Sequence, residues 1–433
     1  MLALRGRAVI PLRRMKDVVE KRGLIQTAFA SEKDNHVVFE SSSSNQVGSP
    51  ERGRTFCLGS KPLADRYHLP AEWEPHARTW MLWPTRPDTW RKSARPAQTA
   101  FAAVANTIGR FEPVTVGAPS GEEDSARALL NAENVSVVTI DQDDAWMRDT
   151  GPLFIVNKSK SDEQGQRHVR GVDWSFNAWG GVLGGCFSNW SKDDAIARTV
   201  LGLADAERYK ADMILEGGSV HVDGEGTLIT TEECLLNTNR NPSLTRGDIE
   251  IFLRDYLGVE LVLWLGKGVV GDTDTDGHVD NLVAFVRPGE VVLHWTDDIT
   301  DPQHAVSSDA LRRLEGFVDA RGRRIKVHKC PLPGPLYMSK DEMESIESTP
   351  GSRERAHGDR LAASYVNFYL ANGAVVLPGY DVPEDEAAIL LFKTIFPERD
   401  VVQVSTREVA LGGGNIHCIT QPQPLGITGA PPI

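Results

Sequence analysis

Apolar residues return at helical spacing in four stretches. Phe101, Val104, Ala105 and Ile108 would share one face of a helix, and the same period runs through DIEIFLRDYLG (248–258), SDALRRLEGFVDA (308–320) and EDEAAILLFKTIF (384–396). Short β-type runs lie between them: PVTV (113–116), VSVVTI (135–140), LFIV (153–156), TLIT (227–230), NLVAFV (281–286), EVVLHW (290–295), GAVVLP (373–378) and VVQV (401–404). Strands and helices mix throughout, so the pattern predicts an α/β or α+β fold.

Beside these runs, polar motifs rich in Gly or Asp recur: WMRDTGP (146–152), LEGGSVHVDGEG (215–226), DTDGHVDN (274–281) and LGGGNIHC (411–418). Asp149 to Glu216 is 67 residues, Glu216 to His278 is 62, and His278 to Cys418 is 140, close to twice that interval. A repeat of this size suggests stacked or circularly arranged units, which could bring distant motifs to one centre. Globular texture begins near Pro62 and holds to about Pro422. This gives a domain over 61–424, an extension over 1–60 and a tail over 425–433.

Charge narrows the partners. With 47 Lys and Arg against 60 Asp and Glu the net charge is −13, which argues against nucleic acid and is compatible with a cationic small molecule. Five cysteines lie far apart with no CxxC pair, so a reducing compartment is expected and a disulfide framework or zinc ribbon is not. No run of 18 apolar residues occurs, so no membrane span is expected. The start of the chain carries four Arg and one Lys before its first acid, Asp17. Cytoplasmic residence and organelle targeting by this segment both remain open, as does disorder of residues 1–60.

Candidate chemistry comes last. Cys418 follows three glycines, which let a backbone approach a ligand and leave its polar groups free to contact it. The thiol is either a buried small hydrophobe or a nucleophile. His278 and Asp280 are two apart and on a strand would share a face. The first could carry protons, and the second could orient the ring or hold a cation. Glu216 stands at a predicted strand end before two glycines. Trp146 and Asp149 share a turn in which Arg148 is a ready ion-pair partner, and Trp174 and Trp179 suit core packing. Two His-Val-Asp motifs raise a metal site, but without HExxH or a close histidine pair no metal is expected. A thiol among several acids suits a planar cation, because paired carboxylates can each grip a guanidinium and the thiol can attack its carbon.

These motifs resemble those of the agmatine deiminases, in the guanidine-modifying superfamily with the peptidylarginine-deiminase fold. The landmarks span about Leu69 to Gln421: LPAEWEPHARTWMLWPTRPDTWR, DDAWMRDTGP, GVDWSFNAWGG, LEGGSVHVDGEGTLITTEECLLNTNRNP, DTDGHVDN, ASYVNFYLANGAVVLPGY and GGGNIHCITQ. The resemblance implies a five-unit α/β propeller (pentein) with pseudo-fivefold symmetry and a central site. By motif it makes Cys418 the nucleophile, His278 the general acid/base and Glu216 its support, with Asp149 and Asp280 holding the guanidinium. It sets Asp274 and Gly413 near the substrate's other polar atoms, and Trp146 and Trp179 beside its aliphatic chain. The implied reaction turns agmatine into N-carbamoylputrescine and ammonia, toward putrescine, with no metal or organic cofactor. Arginine or peptidyl-arginine deimination, and a non-catalytic binding module, are the rival readings; a homo-oligomer is compatible with all three.

Overall fold

A hairpin followed by a parallel strand is the recurring unit of this chain. In the computed structural model, which describes residues 57–161 and 165–429, four sheets are built this way. Leu153–Ser161 pairs antiparallel with Arg167–Ser175, which takes Arg208–Ile214 as a parallel neighbour. The same order holds for Val220–Val222, Thr227–Thr231 and Leu261–Leu265. It holds again for Val283–Arg287, Glu290–Trp295 and Lys326–Pro331, and for Tyr369–Ala371, Ala374–Gly379 and Asp400–Ser405. A fifth sheet joins the two ends of the domain: Gln421–Pro424 lies antiparallel to His76–Leu82, which is followed by parallel Val114–Ala118 and Val135–Thr139.

Local chemistry accounts for these units. Ala371 pairs with Ala374 across Asn372-Gly373, a dipeptide suited to the positive φ of a tight hairpin, and Gly373 has φ 79°. Parallel strands need crossovers, and helices supply them. Arg95–Ile108 buries Ala97, Phe101, Val104, Ala105 and Ile108. Arg246–Leu257 begins with a capping box of Thr245 and Asp248 and ends at left-handed Gly258. The third helix departs from the expected 308–320: it spans Pro302–Glu315. Asp301 caps it with Pro302 in the first turn, and Gly316 closes it. The fourth spans Glu384–Ile395.

Residues 1–56 of the extension and 430–433 of the tail lie outside the described residues. Leu58 donates to the Arg208 carbonyl, and Leu425 and Ile427 donate to the carbonyls of Pro75 and Arg167. Among the described residues no helix is long and apolar enough to cross a membrane.

Four apolar clusters form the core, and the polar motifs are pinned between them. Leu215 belongs to one, Val279 to a second and Leu411 to a third, while Ile416, Cys418 and Ile419 belong to the largest. Burying one such side chain is worth about 1.5–3 kcal/mol. Each apolar anchor therefore fixes the polar neighbour that the chain carries beside it.

Candidate active site

The thiol of Cys418 is nearly buried, 5% exposed, and lies 3.5 Å from Asp280 Oδ2. Asn367 clamps this residue: its Nδ2 donates to Sγ at 3.1 Å, and its Oδ1 accepts from the Cys418 amide at 3.3 Å. His278 and Asp280 flank Val279 in a 3-10 turn, Val279–Asn281, not in the strand their spacing suggested. The loop ahead of them causes this, because Asp272 and Thr275 accept from the His278 amide and coil the chain. Glu216 follows the strand Arg208–Ile214, as its apolar run suggested, and opens a second 3-10 turn, Gly217–Ser219. Asp149 sits in the short helix Met147–Thr150 and accepts from Trp179 Nε1 and the Gly218 amide, both at 2.9 Å. Arg148 does not pair with it; its Nη1 lies 2.7 Å from Glu72 Oε1.

These groups converge on Gly218. A β-carbon there would lie 2.7 Å from His278 Nδ1, 2.9 Å from Asp280 Oδ2 and 3.0 Å from Asp149 Oδ1. His278 in turn stands 3.8 Å from Asp149 and 3.7 Å from Glu216. Both ring nitrogens of His278, Glu216 Oε2 and Asp280 Oδ1 are buried without a hydrogen-bond partner among the described residues. Buried polar atoms normally have partners, so these mark where a polar ligand would bind. Gly218→Ala is expected to lower kcat/KM by about 100-fold or more, since the methyl displaces three groups whose placement governs orientation. Melting temperature should shift by only a few degrees, because overpacking costs about 1–3 kcal/mol. Steady-state assays beside thermal melts check both, and an unchanged kcat/KM would show that the convergence is incidental.

A cavity of about 360 Å³ opens onto the thiol. Its wall holds Asp149, Trp146, Trp179, Asp274 and Gly413 together with Cys418, and His278, Glu216 and Asp280 are not among its lining residues. The Trp146 and Trp179 rings meet edge to face at 6.4 Å, and Trp174 packs elsewhere, on Tyr256. The glycine run is explained position by position. A β-carbon on Gly412 would strike Trp90; on Gly413, Asp274; on Gly414, Trp146 at 2.5 Å and the Cys418 sulfur at 3.0 Å. Gly413 also has φ 112°, a conformation side chains disfavour.

Electrostatics divide the groups. Burial lifts the Cys418 thiol well above its ordinary pKa, and the carboxylates of Asp280 and Asp149 lift it further. Burial opposes charge on His278, but Asp149, Cys234 and Glu216 outweigh it and hold the imidazole well above its ordinary value. Glu216 is likewise pushed up by burial and pulled down more strongly by Arg240 and His278, to about 2. Arg240 is fully buried, with Nε 2.7 Å from Glu216 Oε1. Among the described residues, two clusters place three ligand-type atoms within 4.8 Å: Glu216, Cys234 and His278, and Glu72, His221 and His417. In each an arginine already grips the glutamate, so these donors build ion pairs, and a divalent cation would meet a like charge.

The sequence reading missed several of these residues. Asn367 lay in a quoted landmark but carried no assigned role. Asp144 accepts from the indoles of Trp90 and Trp146 and so holds the aromatic wall. Arg355 stands at the far end of the cavity, beside the Asp274 and Gly413 that the resemblance set near the substrate's other polar atoms. It lines that end, donating to Asp274 Oδ2 at 2.6 Å and to the Gly412 carbonyl at 2.9 Å. It arrives from a loop 57 residues before Gly412, and no local pattern announces it.

Fold and site together place the chain in a class. The Porphyromonas-type peptidyl-arginine deiminase family matches residues 68–424, and the chain belongs to it. Its similar relatives are agmatine deiminases. One from Pseudomonas aeruginosa (strain LESB58) is 55% identical over 84% of this chain and 97% of its own, and one from Ectopseudomonas mendocina is 52% identical over 85% and 98%. Among solved structures, the agmatine deiminase of Enterococcus faecalis has a TM-score of 0.82 at 41% identity, covering 86% of this chain and 100% of its own. The C. Jejuni agmatine deiminase with substrate bound has a TM-score of 0.71 at 25% identity, over 83% and 97%.

Proposed function

We propose that this chain hydrolyses agmatine to N-carbamoylputrescine and ammonia through a covalent amidino-cysteine on Cys418, in a catalytic domain spanning 61–424. The meeting of Cys418, Asp149, Asp280 and His278 around Gly218 carries the reading. We read the five sheets as the five units of a propeller with the site at its centre. Their shared order of antiparallel then parallel pairing supports this.

The geometry suggests the steps. Asp149 and Asp280 would grip the guanidinium and face its carbon toward Sγ. Those same carboxylates hold the free thiol up, so an arriving cation offsets their field and favours the thiolate. Sγ attacks the carbon, giving a tetrahedral intermediate. His278 protonates the departing nitrogen and ammonia leaves. His278 then takes a proton from water, which adds to the amidino carbon. Collapse breaks the C–S bond and releases the ureido product. Glu216 keeps the imidazole charged when required and oriented throughout.

The far end of the cavity decides the substrate. Asp274 Oδ1 accepts no hydrogen bond among the described residues and lies 3.4 Å from Arg353 Nε; the Asp274 carboxylate is the acid that a protonated amine could meet. Arg355 favours the second reading, free arginine, whose α-carboxylate it could meet. Its Nη1 and Nη2 are, however, committed to Asp274 and to the Gly412 carbonyl, and a carboxylate there would lie against Asp274. Agmatine is therefore expected to exceed arginine in kcat/KM by at least about 100-fold, on the order of 3 kcal/mol. Matched assays of ammonia and ureido product check this. Equal turnover of arginine would overturn the substrate reading, and no turnover of either by folded protein would overturn the reaction.

A further inference from the structure

A second cavity, of about 500 Å³, has Glu72, Arg148, Gly217 and His221 among its lining residues. One side chain links it to the thiol site. His417 Nδ1 is 2.8 Å from Asp280 Oδ2, and its Nε2 is 2.8 Å from Glu72 Oε1. Each ring nitrogen faces a carboxylate oxygen. Only a doubly protonated imidazole can donate to both; a neutral ring would turn a lone pair on one of them. The surroundings favour that form. Burial and Arg148 push the His417 pKa down, Glu72 and Asp280 raise it, and the balance lies above the ordinary value. The ring is also braced: His221 stacks on it at 5.8 Å, and Arg148 Nε donates to its carbonyl at 3.2 Å.

The two guanidinium-facing aspartates are held differently. Asp149 has two neutral donors, the Trp179 indole and the Gly218 amide. Asp280 Oδ2 takes a full charge-assisted bond from His417 and only a weak one from the Cys418 thiol, while Oδ1 stays free. The opposite pKa directions agree with this: burial raises Asp149, whereas His417 outweighs burial and lowers Asp280.

We propose that His417 is a positioning residue for the reaction, orienting the Asp280 carboxylate through Nδ1 while Glu72 anchors its Nε2 from the second cavity. This rests on Asp280 holding the guanidinium. Two isosteric substitutions separate the ring's contacts. His417→Asn keeps a donor near Nδ1, and His417→Gln keeps one near Nε2. The asparagine variant is expected to stay within about threefold of wild-type kcat/KM on agmatine, and the glutamine variant to lose about 100-fold, in both KM and kcat, at a similar melting temperature. Equal losses in the two variants, equal retention, or the reverse order would overturn the proposal, because a ring that only fills space does not distinguish the amides. Asp280→Asn is measured alongside. If it is inactive while His417→Gln behaves as wild type, only this proposal falls; if it keeps wild-type kinetics, the reading beneath it falls too.

Discussion

Cys418→Ser loses turnover by at least about 10³-fold yet melts within a few degrees of the parent protein. The two side chains differ by one atom, and the hydroxyl finds partners in Asn367 and Asp280, so packing is nearly kept. Chemistry is not kept, because an alcohol in this field of two carboxylates is a far poorer nucleophile than a thiol that a bound cation can ionise. Wild-type protein quenched with acid during agmatine turnover should carry its adduct on the peptide containing Cys418. Three of the other thiols are poor competitors: burial pushes Cys186 up to about 12, and raises Cys234 and Cys330 as well. An active serine variant, or an adduct on one of those three, would sink the assignment.

Arg240→Met is expected to cost about 3–5 kcal/mol, because it strands a fully buried carboxylate beneath the active-site imidazole. At this chain length that is a fall of about 4–6 °C. The loss should depend on pH with a definite sign. Folded Glu216 titrates at about 2, below its ordinary 4.5. Its contribution is therefore present above pH 4.5 and fades as pH falls through that value toward 2. The gap between wild type and variant should be widest near neutrality and narrow across that window. Melts from about pH 7 downward check it; a constant gap would assign the loss to packing alone. Activity should fall as well, since a Glu216 without Arg240 leans toward its protonated form and stops supporting the charge on His278.

Much of the site could be read because its residues sit in compact motifs. Glycines beside Cys418 and Glu216 reported close approach, and Gly218, on which the reacting groups converge, lies within LEGGS itself. The supporting groups were hidden, since Arg240, Asn367, Arg355 and His417 act through partners 24 to 345 positions away and have no local pattern. The fold shows the same division. Strands with plain apolar runs, such as Glu290–Trp295, were legible, whereas HARTWML at His76–Leu82 was not. Its polar Thr79 is buried and satisfied by Glu112 and Tyr369 from remote elements, so alternation is broken where tertiary contacts replace hydrophobicity.

The closing strand has a consequence for the order of assembly. Gln421–Pro424 pairs with His76–Leu82, and the thiol at Cys418 lies three residues ahead of that junction. A growing chain emerges from its N-terminus, so the aspartates, the glutamate and the histidine are all made before Cys418, and the strand that shuts the seam is made after it. Until it shuts, the reactive sulfur has no carboxylates around it and no aromatic slot before it. The unfinished chain therefore carries an ordinary thiol with no grip for a guanidinium, and the stroke that completes the sheet would also assemble the proposed site.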